Sequence, residues 1–291
     1  MAFDDRDLPT SSDGKEITKE EMQELKRTMG DVNSSSAFEG TGYLNPTTDE
    51  SYDENEKLNT LEEITLNGVI GKDNRTRVNN TTTYPHRAIT YLEIRYPKKP
   101  NSPFLCTGFF VGPDTVVTAG HCLHNKSQGG WAKSIKVIPG KNGKSNPYSH
   151  AWGKTAHSVK GWTEHQDPNF DYGAIKVESK LGDRIGWLGY EWQAASLSGT
   201  KVTVQGYPGS KPSGTMWKDS GSILPTEPLS IRYTIDMSPG QSGGPVYKSN
   251  HNAVGINAWE HWQGDKNNFI YNSGTRITKS VFDNISYWKG L

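Results

Sequence analysis

Two cysteines, Cys106 and Cys122, are all that the 291 residues contain, which excludes a scaffold stapled by many disulfides. They flank FFVGPDTVVTAGH (109–121), a strand-turn-strand stretch that a hairpin would fold so as to bring them together. On spacing alone, two readings stay open: a single disulfide, which needs an oxidising compartment, and a pair of buried thiols. No run of 18 apolar residues occurs, so no helix is expected to span a membrane. Net charge is also lacking: 32 Lys and Arg offset 32 Asp and Glu. There is no bulk basic field to draw nucleic acid or an anionic membrane as a partner. The N-terminus, MAFDDRDLPTSSDGKE, has no apolar signal-peptide core, so secretion would require a signal removed ahead of this sequence.

Apolar residues are scarce as well, at 32%, whereas Gly, Asn, Ser and Thr abound. Short strands joined by many turns produce that composition. The chain divides near residue 68. Residues 1–68 are acidic and polar, with one amphipathic helix expected at Lys19–Met29, and carry too little apolar surface for a core of their own. They read as a propeptide or flexible extension. From Val69 onward, strand-length apolar or alternating runs recur between Gly, Pro and Asn punctuation: AITYLEIRY (88–96), FLCTGFFVG (104–112), KVTVQGYPG (201–209), SIRYTIDM (230–237), NAVGINAW (252–259). Such spacing favours an all-β barrel or sandwich. Val281, Phe282, Ile285 and Trp288 fall at helical spacing and predict a C-terminal helix.

Three short motifs carry chemistry. Thr118-Ala119-Gly120-His121-Cys122 offers an imidazole beside a cysteine that a disulfide would pin, and a general base must be held within reach of its partner. Asp171 heads the apolar stretch YGAIKV, where a carboxylate can fix a histidine tautomer and stabilise imidazolium. Each is weak alone. The specific signal is Gly240-Gln241-Ser242-Gly243-Gly244-Pro245. Glycines permit a tight turn that exposes the serine hydroxyl and aims the N–H groups of Gly240 and Ser242 at one point, an oxyanion hole. The chain order His121, Asp171, Ser242 is that of one of three known triad arrangements.

With these motifs the chain from residue 69 to 291 resembles the trypsin/chymotrypsin-like serine peptidases. The resemblance implies two antiparallel six-stranded β-barrels, split near residues 185–200, and a Cys106–Cys122 disulfide closing the histidine loop. It implies a triad of His121, Asp171 and Ser242. Val69-Ile70-Gly71, Gly206-Tyr207-Pro208-Gly209 and Tyr233-Thr234-Ile235-Asp236 further resemble the secreted bacterial glutamyl endopeptidases. That narrower likeness implies an extracellular enzyme made as a zymogen and cleaving protein or peptide substrates after Glu or Asp. Trypsin-type zymogens carry an Asp directly before the serine, to pair with the freed N-terminal amine. Here Gln241 stands there, and the subgroup instead uses that amine to help bind the substrate carboxylate, which gives Val69 a role in specificity.

The subgroup's carboxylate-binding Thr and His are replaced by Met237 and Asn257. Asn257 keeps a donor and Met237 does not. Arg276 is the expected substitute, because guanidinium binds carboxylates bidentately. No metal or organic cofactor is expected, since His121-Cys122-Leu123-His124 lacks a further ligand cluster, and the enzyme is expected to be a monomer. Two rival readings are a narrow-specificity, toxin-like peptidase, which broad casein cleavage would oppose, and a non-catalytic binding homologue, which an acylating probe would oppose.

Overall fold

The computed structural model describes residues 4–56, 58–59, 69–262 and 269–291. The stretch 88–96 becomes the strand Ile89–Tyr96, whose inward side chains Leu92, Ile94 and Tyr96 are fully buried. It opens a closed antiparallel ring of six strands. In ring order these are Ile89–Tyr96, Lys99–Phe110, Thr115–Thr118, Gly173–Val177, Ala151–Val159 and Ser134–Pro139, the last pairing back onto the first. Phe110, Val116, Val137 and Ile175 fill its interior. A second ring runs Lys201–Gly206, Trp217–Ser222, Ser230–Tyr233, Phe269–Arg276, Asn252–Trp262 and Pro245–Tyr247. It closes through a bridge between Ile223 and Tyr233. Val202, Val204, Ile231, Val246 and Val254 form its core. The all-β class, the two six-stranded barrels and the C-terminal helix are therefore as the sequence implied. The helix Lys279–Gly290 is capped by the Thr278 hydroxyl and buries Val281, Phe282, Ile285 and Trp288.

A third cluster, including Tyr91, Leu105, Phe109, Tyr207 and Ile256, joins the two barrels. The loops bearing the three motifs meet along this seam. The chain passes from the first ring to the second between Val177 and Lys201.

Residues 4–56 lie against both barrels. Pro9–Ser11 adds an antiparallel edge to Ala151–Val159, with Ser11 opposite His157. Ser34–Ser35 pairs with Gly189–Glu191, and Thr47–Thr48 with Ser145–Asn146. The helix Lys19–Met29 starts with a capping box formed by Thr18 and Glu21 and buries Met22 completely. Phe38 packs on Trp187 at 4.5 Å between ring centroids. Leu8, Pro9 and Met22 are the buried apolar residues of this stretch among the described residues. The absence of an independent core is thus real, but a flexible tail is not what residues 4–56 form. One barrel strand and two short strands outside the rings supply their backbone partners, so little apolar surface is needed. Residues 57 and 60–68 lie outside the described residues.

Candidate active site

His121 sits in the single 3-10 turn Gly120–Cys122, directly after the strand Thr115–Thr118. Two features hold that turn. Cys122 is bonded to Cys106 on the strand Lys99–Phe110, with Cα atoms 6.3 Å apart. Gly120 leaves no room for a Cβ, which would lie 2.8 Å from the Trp162 ring. Asp171 follows the turn Pro168–Phe170 and is fully buried. One of its carboxylate oxygens accepts the backbone N–H of His121 at 2.7 Å, and the other faces His121 Nδ1 at 2.7 Å. With both oxygens committed, Nδ1 carries the proton and Nε2 is left as a base. The His121 carbonyl accepts the Tyr96 hydroxyl at 2.9 Å, and the Asp171 carbonyl accepts the Thr275 hydroxyl at 3.0 Å. Trp162 and Trp259 flank the imidazole, with centroids at 6.2 and 5.4 Å.

The serine motif is a turn packed on the first barrel. Thr107 donates its N–H to the Ser242 carbonyl at 2.9 Å and its hydroxyl to the Gly240 carbonyl at 2.8 Å. Gly240 and Gly243 adopt φ of +99° and +85°, where a side chain is strained. A Cβ on Gly243 would also overlap Thr118 Oγ1 and the Thr107 carbonyl. The N–H groups of Gln241, Gly243 and Gly244 donate to Ser238, Asn257 and Gln241 carbonyls. Among the described residues, those of Gly240 and Ser242 have no acceptor.

The residues expected to read a substrate carboxylate lie differently. Met237 and Asn257 are fully buried. The Asn257 amide accepts the Tyr233 hydroxyl at 2.6 Å and donates to the Gln241 carbonyl at 3.0 Å, so it joins the wall to the serine turn. Burial pushes the Tyr233 hydroxyl far up, keeping it a neutral donor. Arg276 needs correction as a carboxylate receiver. Its guanidinium donates to the carbonyls of Gln193 and Ala195, both at 2.8 Å, and of Glu227 at 3.4 Å, and so ties down the segment between the barrels. Val69 is half-buried, and Ile70 beside it donates its N–H to Asp236 Oδ1 at 2.8 Å. Asp236 Oδ2 accepts the Asn74 N–H at 2.7 Å. The sequence assigns no role to Asp236, Arg75, Trp162 or Trp259, since no short motif marks a buried carboxylate or an aromatic wall.

A two-barrel fold with a histidine clamped by a buried aspartate and a glycine-hinged serine turn defines a chymotrypsin-like serine peptidase. The family model "Trypsin" matches residues 77–282. A glutamyl endopeptidase of Bacillus licheniformis is 40% identical over 259 residues, 88% of this chain and 78% of that protein. An extracellular metalloprotease of Bacillus subtilis is 43% identical over 256 residues, 87% of this chain and 79% of that protein. A solved Glu endopeptidase structure superposes with a TM-score of 0.67 at 28% identity, covering 77% of this chain and 100% of that one. The chain belongs to the trypsin family of serine peptidases, in its glutamyl endopeptidase subgroup, and is a serine endopeptidase acting on protein or peptide substrates. Among the described residues, Cys106, His121 and Cys122 form the one cluster with metal-ligand spacing. Its sulfurs are bonded to each other, so it offers an imidazole and no thiolate.

Proposed function

We propose that Ser242 is the nucleophile, His121 the general base and acid, and Asp171 the group that orients His121. The observation carrying this reading is the double hold of the Asp171 carboxylate on His121, through Nδ1 and the backbone N–H. His121 Nε2 takes the Ser242 hydroxyl proton as Oγ bonds to the scissile carbonyl carbon. The N–H groups of Gly240 and Ser242 receive the developing oxyanion, an effect worth roughly 3 kcal/mol per donor. His121 passes the proton to the leaving amine, and water then cleaves the acyl-enzyme by the same route. A fluorophosphate probe tests the assignment: adduct mass should map to Ser242, and Ser242→Ala should retain less than about a thousandth of kcat while folding normally. An adduct on another residue overturns it.

The substrate preference follows from the subgroup and from Asp236. That carboxylate is buried and already accepts two N–H groups of residues 70–74, so it is not offered to a basic side chain. Cleavage after Glu is the reading these contacts favour, with an α-amine at or beside Val69 supplying the positive charge. Residues 1–68 act as a pro-segment; Asn59 supports this, for its carbonyl accepts the Leu105 N–H at 2.8 Å on the strand that leads to Cys106. A peptide series compares full-length and processed protein. Processing should raise kcat/KM for Glu peptides far more than for Gln peptides, and acetylating the new amine should reverse the gain. Equal cleavage by both forms removes the pro-segment reading, and preference for a non-acidic residue removes the Glu reading. The disulfide and the name of the Bacillus subtilis relative favour an extracellular enzyme.

A further inference from the structure

Gln241 stands immediately before Ser242, and its buried side chain holds the serine turn from beneath. Its Oε1 accepts the Ser238 N–H at 3.0 Å and Arg75 Nη1 at 2.9 Å. The same Nη1 donates to Ser238 Oγ at 2.8 Å. Arg75 Nη2 donates to Asp73 Oδ2 at 2.8 Å and to Ser210 Oγ at 3.2 Å, while Nε donates to Asp73 Oδ1 at 3.0 Å. All five N–H groups of the guanidinium therefore have acceptors, and its side chain is 1% exposed. Asp73 is held well below the usual carboxylate range by Arg75 and then Lys211, whose ammonium lies 2.7 Å away.

We infer that Arg75 is a positioning residue for the reaction: an internal cation that fixes the Gln241 and Ser238 ends of the serine turn and thereby aims the N–H groups of Gly240 and Ser242. The inference rests on the assignment of Ser242 as nucleophile. Its physical basis is that residues 236–241 carry no regular hydrogen-bond ladder of their own to resist deformation. The planar fork of Arg75 reaches both Ser238 and Gln241 while Asp73 anchors it from the opposite side. An ammonium cannot span those partners. The cation belongs to the chain itself, so the turn does not depend on a freed amine for this support.

Steady-state kinetics on one Glu peptide, with fluorophosphate labelling, tests the idea in processed protein carrying Arg75→Met, Arg75→Lys, Gln241→Met or Gln241→Glu. Arg75→Met and Gln241→Met should each lower kcat by about a hundredfold or more while KM stays within about threefold, the pattern of a lost transition-state contact. Arg75→Lys should recover only part of that loss. Gln241→Glu, which keeps an acceptor for Arg75, should stay within about tenfold of wild type. Wild-type kcat in Arg75→Met, with only a lower melting temperature, overturns the inference and leaves Arg75 a structural residue. Should Arg75→Met fail to fold, Gln241→Met decides, because it leaves the Arg75–Asp73 pair intact. Labelling of the wild-type protein at a residue other than Ser242 instead sinks the reading of the site.

Discussion

Residues 4–56 and the two barrels differ in composition, and different forces hold them. The barrels close on themselves and own three apolar clusters. The N-terminal stretch owns none, and its strands are two or three residues long. A few borrowed sites hold it: Met22 under a capped helix, Phe38 on Trp187, and short edge strands along both barrels. Edge pairing and single anchors satisfy backbone groups without burying much area, so each part detaches more easily than a core strand. A segment so attached can be stable in place and still be removable.

The comparison is broken most severely inside the barrels. Gly243→Ala forces a side chain onto φ of +85° and into Thr118 and Thr107. Activity should fall by more than about a hundredfold as the N–H groups proposed to receive the oxyanion move, while docking of residues 4–56, followed by limited proteolysis, stays as in wild type. Wild-type peptidase activity would mean that the turn tolerates the displacement. Next in size is the disulfide. Cys106→Ser opens a loop with 16 residues of sequence separation and should cost the barrels about 3 kcal/mol in chemical denaturation. An unchanged midpoint refutes that.

A pH effect sharpens the contrast where the two regions meet. His157 lies opposite Ser11, and burial lowers its pKa from 6.5 to about 4, with Asp13 opposing and Lys176 and Lys15 reinforcing the shift. A histidine with a depressed folded pKa binds its proton more readily when unfolded. The protein should therefore lose stability as pH falls from 6.5 towards 4, by up to about 3 kcal/mol. His157→Gln should flatten that slope, and so should removal of the extension; identical slopes would contradict the burial account. The smallest effect belongs to Met22→Ala, about 2 kcal/mol on docking alone. Protease should cut the extension sooner while the melting of the barrels hardly moves.

The candidate catalytic corner was legible because its chemistry is written locally. Tight turns need glycine at positive φ, and Gly240 and Gly243 announce one around Ser242. His121 is followed directly by Cys122, and the family resemblance implied the disulfide to Cys106 that pins the turn. Strand runs such as AITYLEIRY declared an all-β fold, and the family resemblance implied that it closes into two barrels. The pocket wall was not legible in this way. Asn257 and Arg276 are residue types that bind carboxylates, and the sequence reading took them as such. In the fold, Tyr233 and the Gln241 carbonyl engage the first, and three carbonyls engage the second.

Local motifs and periodicity by themselves determined the all-β class and the three candidate catalytic side chains, because each depends on neighbours within a few residues, and the family resemblance those motifs carry implied the two barrels. Tertiary structure alone decided that residues 4–56 lie docked, that Asp236 holds residues 70–74, and that Arg75 reaches across 166 residues of sequence to Gln241. Those outcomes turn on which buried polar groups find one another once water is excluded. A donor such as Arg75 looks the same in sequence whether it meets solvent, a substrate or the underside of a serine turn, and only the folded packing selects among them.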